Sequence, residues 1–435
     1  MKLITFVFSL FLVCFSCTQP RASFPKLVIT LVVDQMRPDL LTRYNTLYRG
    51  GFRWLMDHGK WFTNTHHQHG YTATGPGHFS IASGQYPSRV GVLGNSFYDR
   101  NLKKVVNCVE DTKASVIGSS RGKARSYARY KTTALGDWVK EKYSKSKIIS
   151  IGGKDRTAVM LGGKKPDLAL YYNYYGSFIT SDYYVDSLPS WVNSFNKNLD
   201  TQSYRDSLWV KSLDDKYYLK YSREDNFLGE EDSYQNNKYS PVFPIGINDN
   251  DDPREMLMGR PWFEREILKL SKIAISQENL GSDLEPDLLF IGFSAMDWMI
   301  HDYGPYSQEI MDACIKLDRY LGDFINYVDQ EVGLENVMFV LTSDHGGLPL
   351  PEYLIQKEEK AGRIKKSILN EALDWIDEEI EEKFGKNLYV RNGVNFYIDH
   401  EKLRKGSVKF SDLFEIIDKY LTRVEGIEKV LSKTS

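Results

Sequence analysis

Four apolar, β-branched runs punctuate the chain, and each ends in a polar or glycine-containing tip. KLVITLVVDQMRPDLL (26–41) stays apolar until Asp34 and then passes through Pro38 into a helical spacing. The same texture returns in SKIISIGG (146–153), PDLLFIGFS (286–294) and NVMFVLTSDHGG (336–347), with an amphipathic helical stretch, EIMDACIKLDRYLGDFINYVDQEV, between the last two. Unbroken apolar runs suit strands covered on both faces, and their alternation with amphipathic helices predicts an α/β three-layer sandwich around a mostly parallel sheet. Ligands in such sheets bind beyond the carboxyl ends of the strands. From residue 171 to about 285 the pattern loosens into Tyr, Asn, Asp and Ser, which reads as an inserted, cap-like region within one domain spanning 24–435.

The N-terminal stretch MKLITFVFSLFLVCFSC places one Lys before an apolar run that is short for a membrane span and suited to an export signal over residues 1–20. Cys17 precedes the polar TQPRAS, so a lipoprotein-type anchor at Cys17 is the alternative to ordinary cleavage, and a periplasmic or cell-envelope location is expected either way. Cys108 and Cys314 could pair in an oxidising compartment, and their spacing leaves that open.

Charge changes the picture only by exclusion. Lys and Arg total 56, Asp and Glu 58, so no overall field draws the chain to nucleic acid. The Tyr-rich run YYNYYGSFITSDYY (171–184) reads as solvent-facing packing or a binding rim. The acidic run DNDD lacks the Gly and terminal Glu of an EF-hand loop and is expected to be a solvated turn.

Chemistry-bearing residues gather at the strand tips: Asp34, the pair Asp344 and His345, and Asp297 with His301 in SAMDWMIHDYG. Carboxylate and imidazole in one cluster suit a borderline ion such as Zn2+, and an i, i+4 pair shares one helix face. Singly, each has a plain structural reading as a cap, a surface pair or a turn residue. The stretch YTATGPGHFSIASGQYP (71–87) adds Thr74, four residues before His78, across a Gly-Pro-Gly bend.

Taken in order, VVDQMRP, TGPGH, SGQYP, GVLGNSFYD, DWMIH and TSDHGG resemble the ordered motifs of the alkaline phosphatase superfamily over roughly residues 26–350. The branch resembled is that of type I phosphodiesterases, nucleotide pyrophosphatases and monomeric PafA-like phosphatases. The resemblance implies an alkaline phosphatase-like fold and a two-metal site, usually two zinc ions. It implies that Thr74 is the nucleophile, that Asp34, Asp344 and His345 hold the metal that binds its oxygen, and that Asp297 and His301 hold the second. Asn95 in LGNSFYD matches a phosphate-contacting Asn, and Lys154 and Arg156 in GGKDR match the Lys-x-Arg pair that meets phosphate in PafA-like enzymes. Two cations suit a dianionic monoester better than a diester, so the implied substrates are phosphate monoesters, cleaved through a phosphothreonine. His78 is expected to hold the nucleophile turn, and His66, His67 and His69 to pack or cap beside it. A monomer is expected.

One part of the family pattern has no match. The second metal's third ligand is a histidine in a G-x-H-G setting near the C-terminus, and after His345 this chain offers only His400, in NFYIDHEKLRK. The C-terminal part is therefore expected to be missing and the second metal site to be incomplete. The rival readings are a phosphodiesterase or nucleotide pyrophosphatase, and a fold-retaining, non-catalytic binding protein. A sulfatase would need Cys or Ser where Thr74 stands.

Overall fold

LVITLVV becomes β1 (Leu27–Val33), six of whose seven residues are buried. The computed structural model describes residues 24–230, 241–385 and 388–432. β2 (Ser96–Asp99) and β3 (Lys104–Asn107) make an antiparallel hairpin apart from the main sheet. The main sheet adds β4 (Val116–Ile117), β5 (Ile148–Gly152), β6 (Leu168–Tyr172), β7 (Phe178–Ser181), β8 (Asp287–Phe293) and β9 (Val337–Thr342) in the order β4-β7-β6-β5-β8-β1-β9. The run from β6 to β9 is parallel throughout, while β7 pairs antiparallel with both β6 and β4. The four runs expected as buried strands form β1, β5, β8 and β9, adjacent as β5-β8-β1-β9; the first three are buried, but β9 lies at the sheet edge and none of its residues is fully buried.

Alternation along β1 explains the three layers. Leu27, Ile29, Leu31 and Val33 share a core with Leu268 and Leu321, from the helices Pro261–Gln277 and Gln308–Glu331. Val32 points the other way, against Ala82 and Leu161 of the helices Thr74–Ser83 and Asp155–Gly162. The second of these lies so close to the sheet that a Cβ on Gly292 would stand 1.9 Å from Thr157 Cγ2. Glycine at that strand position is what lets the helix start immediately above β5 and β8.

The Tyr-rich run does not form a rim throughout. Tyr171 and Tyr172 end β6 with relative exposures of 3% and 1%, and Phe178 in β7 is fully buried. Residues 171–285 therefore enter the sheet before continuing through the helices Ser190–Asn198 and Asp215–Tyr221 to the long helix Pro261–Gln277. In the acidic run, Asp252 accepts from the backbone of Arg254 and caps the helix Pro253–Met256.

Past β9 the chain builds a separate cluster. The helices Lys366–Phe384 and Phe410–Leu421 and the hairpin β10 (Tyr389–Asn392) and β11 (Asn395–Ile398) bury Leu373, Ile376, Leu413 and Ile417 among themselves. Arg100 Nη1 donates to the Ile398 carbonyl at 2.7 Å, tying this unit to the loop of the β2–β3 hairpin. No described helix is long and apolar enough to cross a membrane.

Candidate active site

Parallel strands release their side chains at a common end, and here four neighbours do so together. Asp34 follows β1, Gly153 and Lys154 follow β5, Ser294 follows β8, and Asp344 and His345 follow β9 by two and three positions. The turn after β1 is unusual: Gln35 adopts a left-handed backbone, φ 64°, and its N–H donates to Asp344 Oδ1 at 3.0 Å. A non-glycine residue in that region is costly and is retained where neighbours over-determine it. Here it locks the tip of β1 to the tip of β9.

Thr74 is the first residue of the ten-residue helix Thr74–Ser83 and is 3% exposed. A helix start carries unpaired N–H groups and partial positive charge, which favours an oxygen anion there. Asn95 Oδ1 takes the Gly75 N–H at 2.8 Å, so the asparagine fixes the turn that carries Thr74. His78, one turn on and fully buried, places Nδ1 2.8 Å from the Thr74 carbonyl oxygen and 3.2 Å from Asp344 Oδ2. His78 thus joins the Thr74 turn to the β9 tip. The Gly-Pro-Gly stretch is the first turn of this helix and not a bend, and its second glycine has a steric cause: a Cβ on Gly77 would stand 2.3 Å from the Asp344 carbonyl oxygen.

Asp297 and His301 sit one turn apart on the helix Ala295–Tyr303, with His301 Nε2 3.5 Å from Asp297 Oδ1. His345 Nε2 lies 3.3 Å from Asp34 Oδ1, 3.5 Å from Asp344 Oδ2 and 3.8 Å from Asp297 Oδ1. The two ligand sets expected from sequence are therefore contiguous. Asp34, Asp297 and His345 each bring one ligand atom within 4.8 Å of the others, a group that could hold a metal ion.

Lys154 enters this group rather than facing outward. Its ammonium is 2.8 Å from Asp34 Oδ2 and 2.5 Å from Asp297 Oδ2, with a side chain 5% exposed. Burial works against its charge, but Asp34 and Asp297 outweigh burial and hold its pKa above the ordinary lysine value. Burial alone would raise Asp344, yet His78 and His345 hold it down at about 2. Burial likewise opposes the charge of His345, and Asp34 and Asp344 push it up to about 9. The hydrogen bond with Asp297 raises His301.

The residues present fit a cation. Asp34 Oδ1 and Asp344 Oδ2 are buried and accept no well-aligned hydrogen bond, their nearest donors being the ring nitrogens of His345 at 3.3 Å and His78 at 3.2 Å, a costly state for carboxylate oxygens. Three carboxylates, Asp34, Asp297 and Asp344, face the Lys154 ammonium and the imidazoles of His78, His301 and His345, which are charged only when protonated. Oxygen and imidazole donors together suit a borderline divalent ion.

Other expected residues take different places. Arg156 pairs with Asp155 at 3.3 Å, and Asp155 is held in turn by Arg125 at 2.7 Å, so its guanidinium is braced beside the site. His67 Nε2 lies 3.0 Å from the Ser343 carbonyl oxygen, and His66 Nε2 2.8 Å from Asn64 Oδ1. His400 starts the helix His400–Lys405, its ring 6.3 Å from Phe410 in the C-terminal unit, and it is not part of the carboxylate group. Cys108 and Cys314 are both free and buried, so they do not pair. Cys17 and the export signal lie outside the described residues. Glu264, which sequence reasoning did not single out, is 2% exposed and reaches the start of the helix bearing Asp297. It stands outside the motifs, and nothing in PWFEREIL marks it.

The family model "Type I phosphodiesterase / nucleotide pyrophosphatase" matches residues 28–432. Alkaline phosphatase PafA of Elizabethkingia meningoseptica is 30% identical over 418 residues, covering 94% of this chain and 75% of that protein. Alkaline phosphatase PhoV of Synechococcus elongatus is 31% identical over 412 residues, 93% of this chain and 73% of that protein. The crystal structure of wild-type alkaline phosphatase PafA is similar with a TM-score of 0.82 at 29% identity, covering 94% of this chain and 78% of that one.

Proposed function

Because the chain belongs to the type I phosphodiesterase / nucleotide pyrophosphatase family, we propose that it is an exported phosphatase that hydrolyses phosphate monoesters through a phosphothreonine at Thr74. The observation that carries this reading is the placement of Thr74 at a helix start joined through His78 to Asp344, beside a buried carboxylate group. The similarity to proteins named alkaline phosphatases supports it.

In this reading Asp34, Asp344 and His345 hold one zinc ion and Asp297 and His301 a second. Bound zinc would lower the pKa of a coordinated hydroxyl and neutralise charge on the transferred group. The helix start stabilises negative charge on Thr74 Oγ1 as that atom forms its bond to phosphorus and the bond to the alcohol oxygen breaks. Water then attacks the phosphothreonine, frees phosphate and restores the hydroxyl. Asn95, already fixed on Gly75, stands beside the phosphoryl group, and Arg156, braced by Asp155, meets its outer oxygens. Lys154, whose ammonium pairs here with Asp34 and Asp297, would supply the second cation for those oxygens.

The test compares a phosphate monoester with a matched diester. Thr74→Ala should lose about 10³-fold or more in monoester turnover at unchanged unfolding stability. Removing Lys154 and Arg156 together should cut monoester kcat/KM about 10²-fold and spare the diester. Wild-type turnover by Thr74→Ala would remove the nucleophile, and a diester preference in the parent protein would favour the phosphodiesterase reading.

A further inference from the structure

The helix that carries Asp297 and His301 has no local cap. Ser294 occupies its N-cap position without a side-chain capping bond, and its hydroxyl instead accepts the Lys154 N–H at 3.0 Å. The orphan donors at the helix start are satisfied from thirty residues upstream. Glu264 Oε1 accepts from Ala295 N at 2.7 Å and from Met296 N at 3.3 Å, and Oε2 accepts from Ser294 N at 3.3 Å. Glu264 belongs to the long helix Pro261–Gln277, whose inner face packs on the sheet through Ile267, Leu268 and Leu270. One carboxylate thus clamps three consecutive backbone N–H groups, the last of them immediately before Asp297.

Local capping needs only a Ser, Thr, Asp or Asn at the N-cap. A tertiary carboxylate does more, since it fixes the helix against a second rigid element and so sets where Asp297 projects. Groups that orient metal ligands from behind typically matter 10- to 100-fold in metal affinity.

Resting on the reading of Asp297 and His301 as zinc ligands, we infer that Glu264 is a positioning residue that aims Asp297 into the cation site and raises the affinity for the ion bound there. Glu264 is too enclosed by backbone donors to bind the ion itself.

The full chain, stripped with a chelator, is titrated with Zn2+ against a chromophoric competitor in four forms: parent, Asp297→Ala, Glu264→Gln and Glu264→Ala. Asp297→Ala identifies the zinc equivalent in question by abolishing it. Glu264→Gln keeps one acceptor oxygen for Ala295 and Met296 but turns the other end into a donor facing the Ser294 N–H. It should weaken that same equivalent about 10-fold or more and leave any zinc that survives Asp297→Ala within twofold. Glu264→Ala should weaken it at least as far, and Glu264→Gln carries the test alone if the alanine variant does not fold. A Glu264→Gln protein whose metal-free unfolding midpoint drops while its zinc affinity stays at the parent value would show a merely structural cap and overturn the inference. Equal weakening of every zinc equivalent would overturn it as well. Zinc binding by Asp297→Ala indistinguishable from the parent would instead remove Asp297 as a ligand, and the role of Glu264 would fall with it.

Discussion

Replacing Gly77 by Ala probes the contact that brings the helix Thr74–Ser83 to the tip of β9. The added Cβ would lie 2.3 Å from the Asp344 carbonyl oxygen, 2.8 Å from its carbonyl carbon and 2.8 Å from its Cβ. Ordinary contact begins near 3.4 Å, so helix and loop must part by about 1 Å. Two of the three atoms are backbone, and the loop cannot yield by turning a side chain. Overpacking of this kind costs about 1–3 kcal/mol. The same separation would stretch the 3.2 Å approach of His78 to Asp344 and carry Thr74, three residues earlier on the helix, away from the carboxylates. A misplacement of about 1 Å at a reacting group costs about 10²-fold in rate. Gly77→Ala should therefore show urea unfolding weakened by about 1–3 kcal/mol and hydrolysis of p-nitrophenyl phosphate slowed about 100-fold. Gly70→Ala, where a Cβ meets nothing within 4 Å, is the control and should change neither. Parent-level turnover in Gly77→Ala would refute the argument, even with stability reduced, because it would mean that the loop moves without consequence for Thr74.

Two other outcomes follow from buried charge. Lys154→Met leaves Asp34 and Asp297 without their shared cation, so the metal-free protein should lose about 3–5 kcal/mol of stability, and added Zn2+ should raise its melting temperature more than it raises that of the parent; an equal response in both would count against the ammonium's place between the carboxylates. Burial, opposed by the Arg223 guanidinium 2.5 Å away, pushes Glu230 up to about 7, and burial beside Glu230 lifts Glu309 well above the carboxylate range. An acid whose folded pKa is raised favours folding below its ordinary value, near 4.5, and loses that contribution as pH climbs through about 7. Unfolding free energy should thus fall between pH 5 and pH 8, by up to about 3 kcal/mol from Glu230, and Glu230→Gln should flatten that slope; a slope unchanged by the substitution would reject the assignment.

The parallel centre of the sheet was readable because its strands are apolar on both faces and stop at Asp34, Gly152, Ser294 and Asp344. β6 and β7 were not, since Tyr171 and Tyr172 are amphipathic and only the fold decides whether the ring or the hydroxyl faces water. Periodicity also could not tell a central strand from an edge. β9 has β1 beside it and leaves Met338 and Val340 46% and 37% exposed. Within the site, residue types at strand tips announced the carboxylate and imidazole cluster. What they could not announce was pairing across the chain: Lys154 lying between Asp34 and Asp297, or Glu264 capping a helix thirty residues away. Both depend on distances that only the packed layers set.

The position of β1 also dictates an order of events during synthesis. Its two neighbours in the sheet, β8 and β9, begin at Asp287 and Val337, so a nascent chain carries LVITLVV without either partner until most of the polypeptide exists. Contacts this distant in sequence form slowly, and an apolar, β-branched segment waiting for them is prone to pair with other chains. The strand whose tip bears Asp34 is thus the one that most needs shielding in a newly made molecule, and a holdase acting before β9 emerges should improve the soluble yield more than one supplied after release.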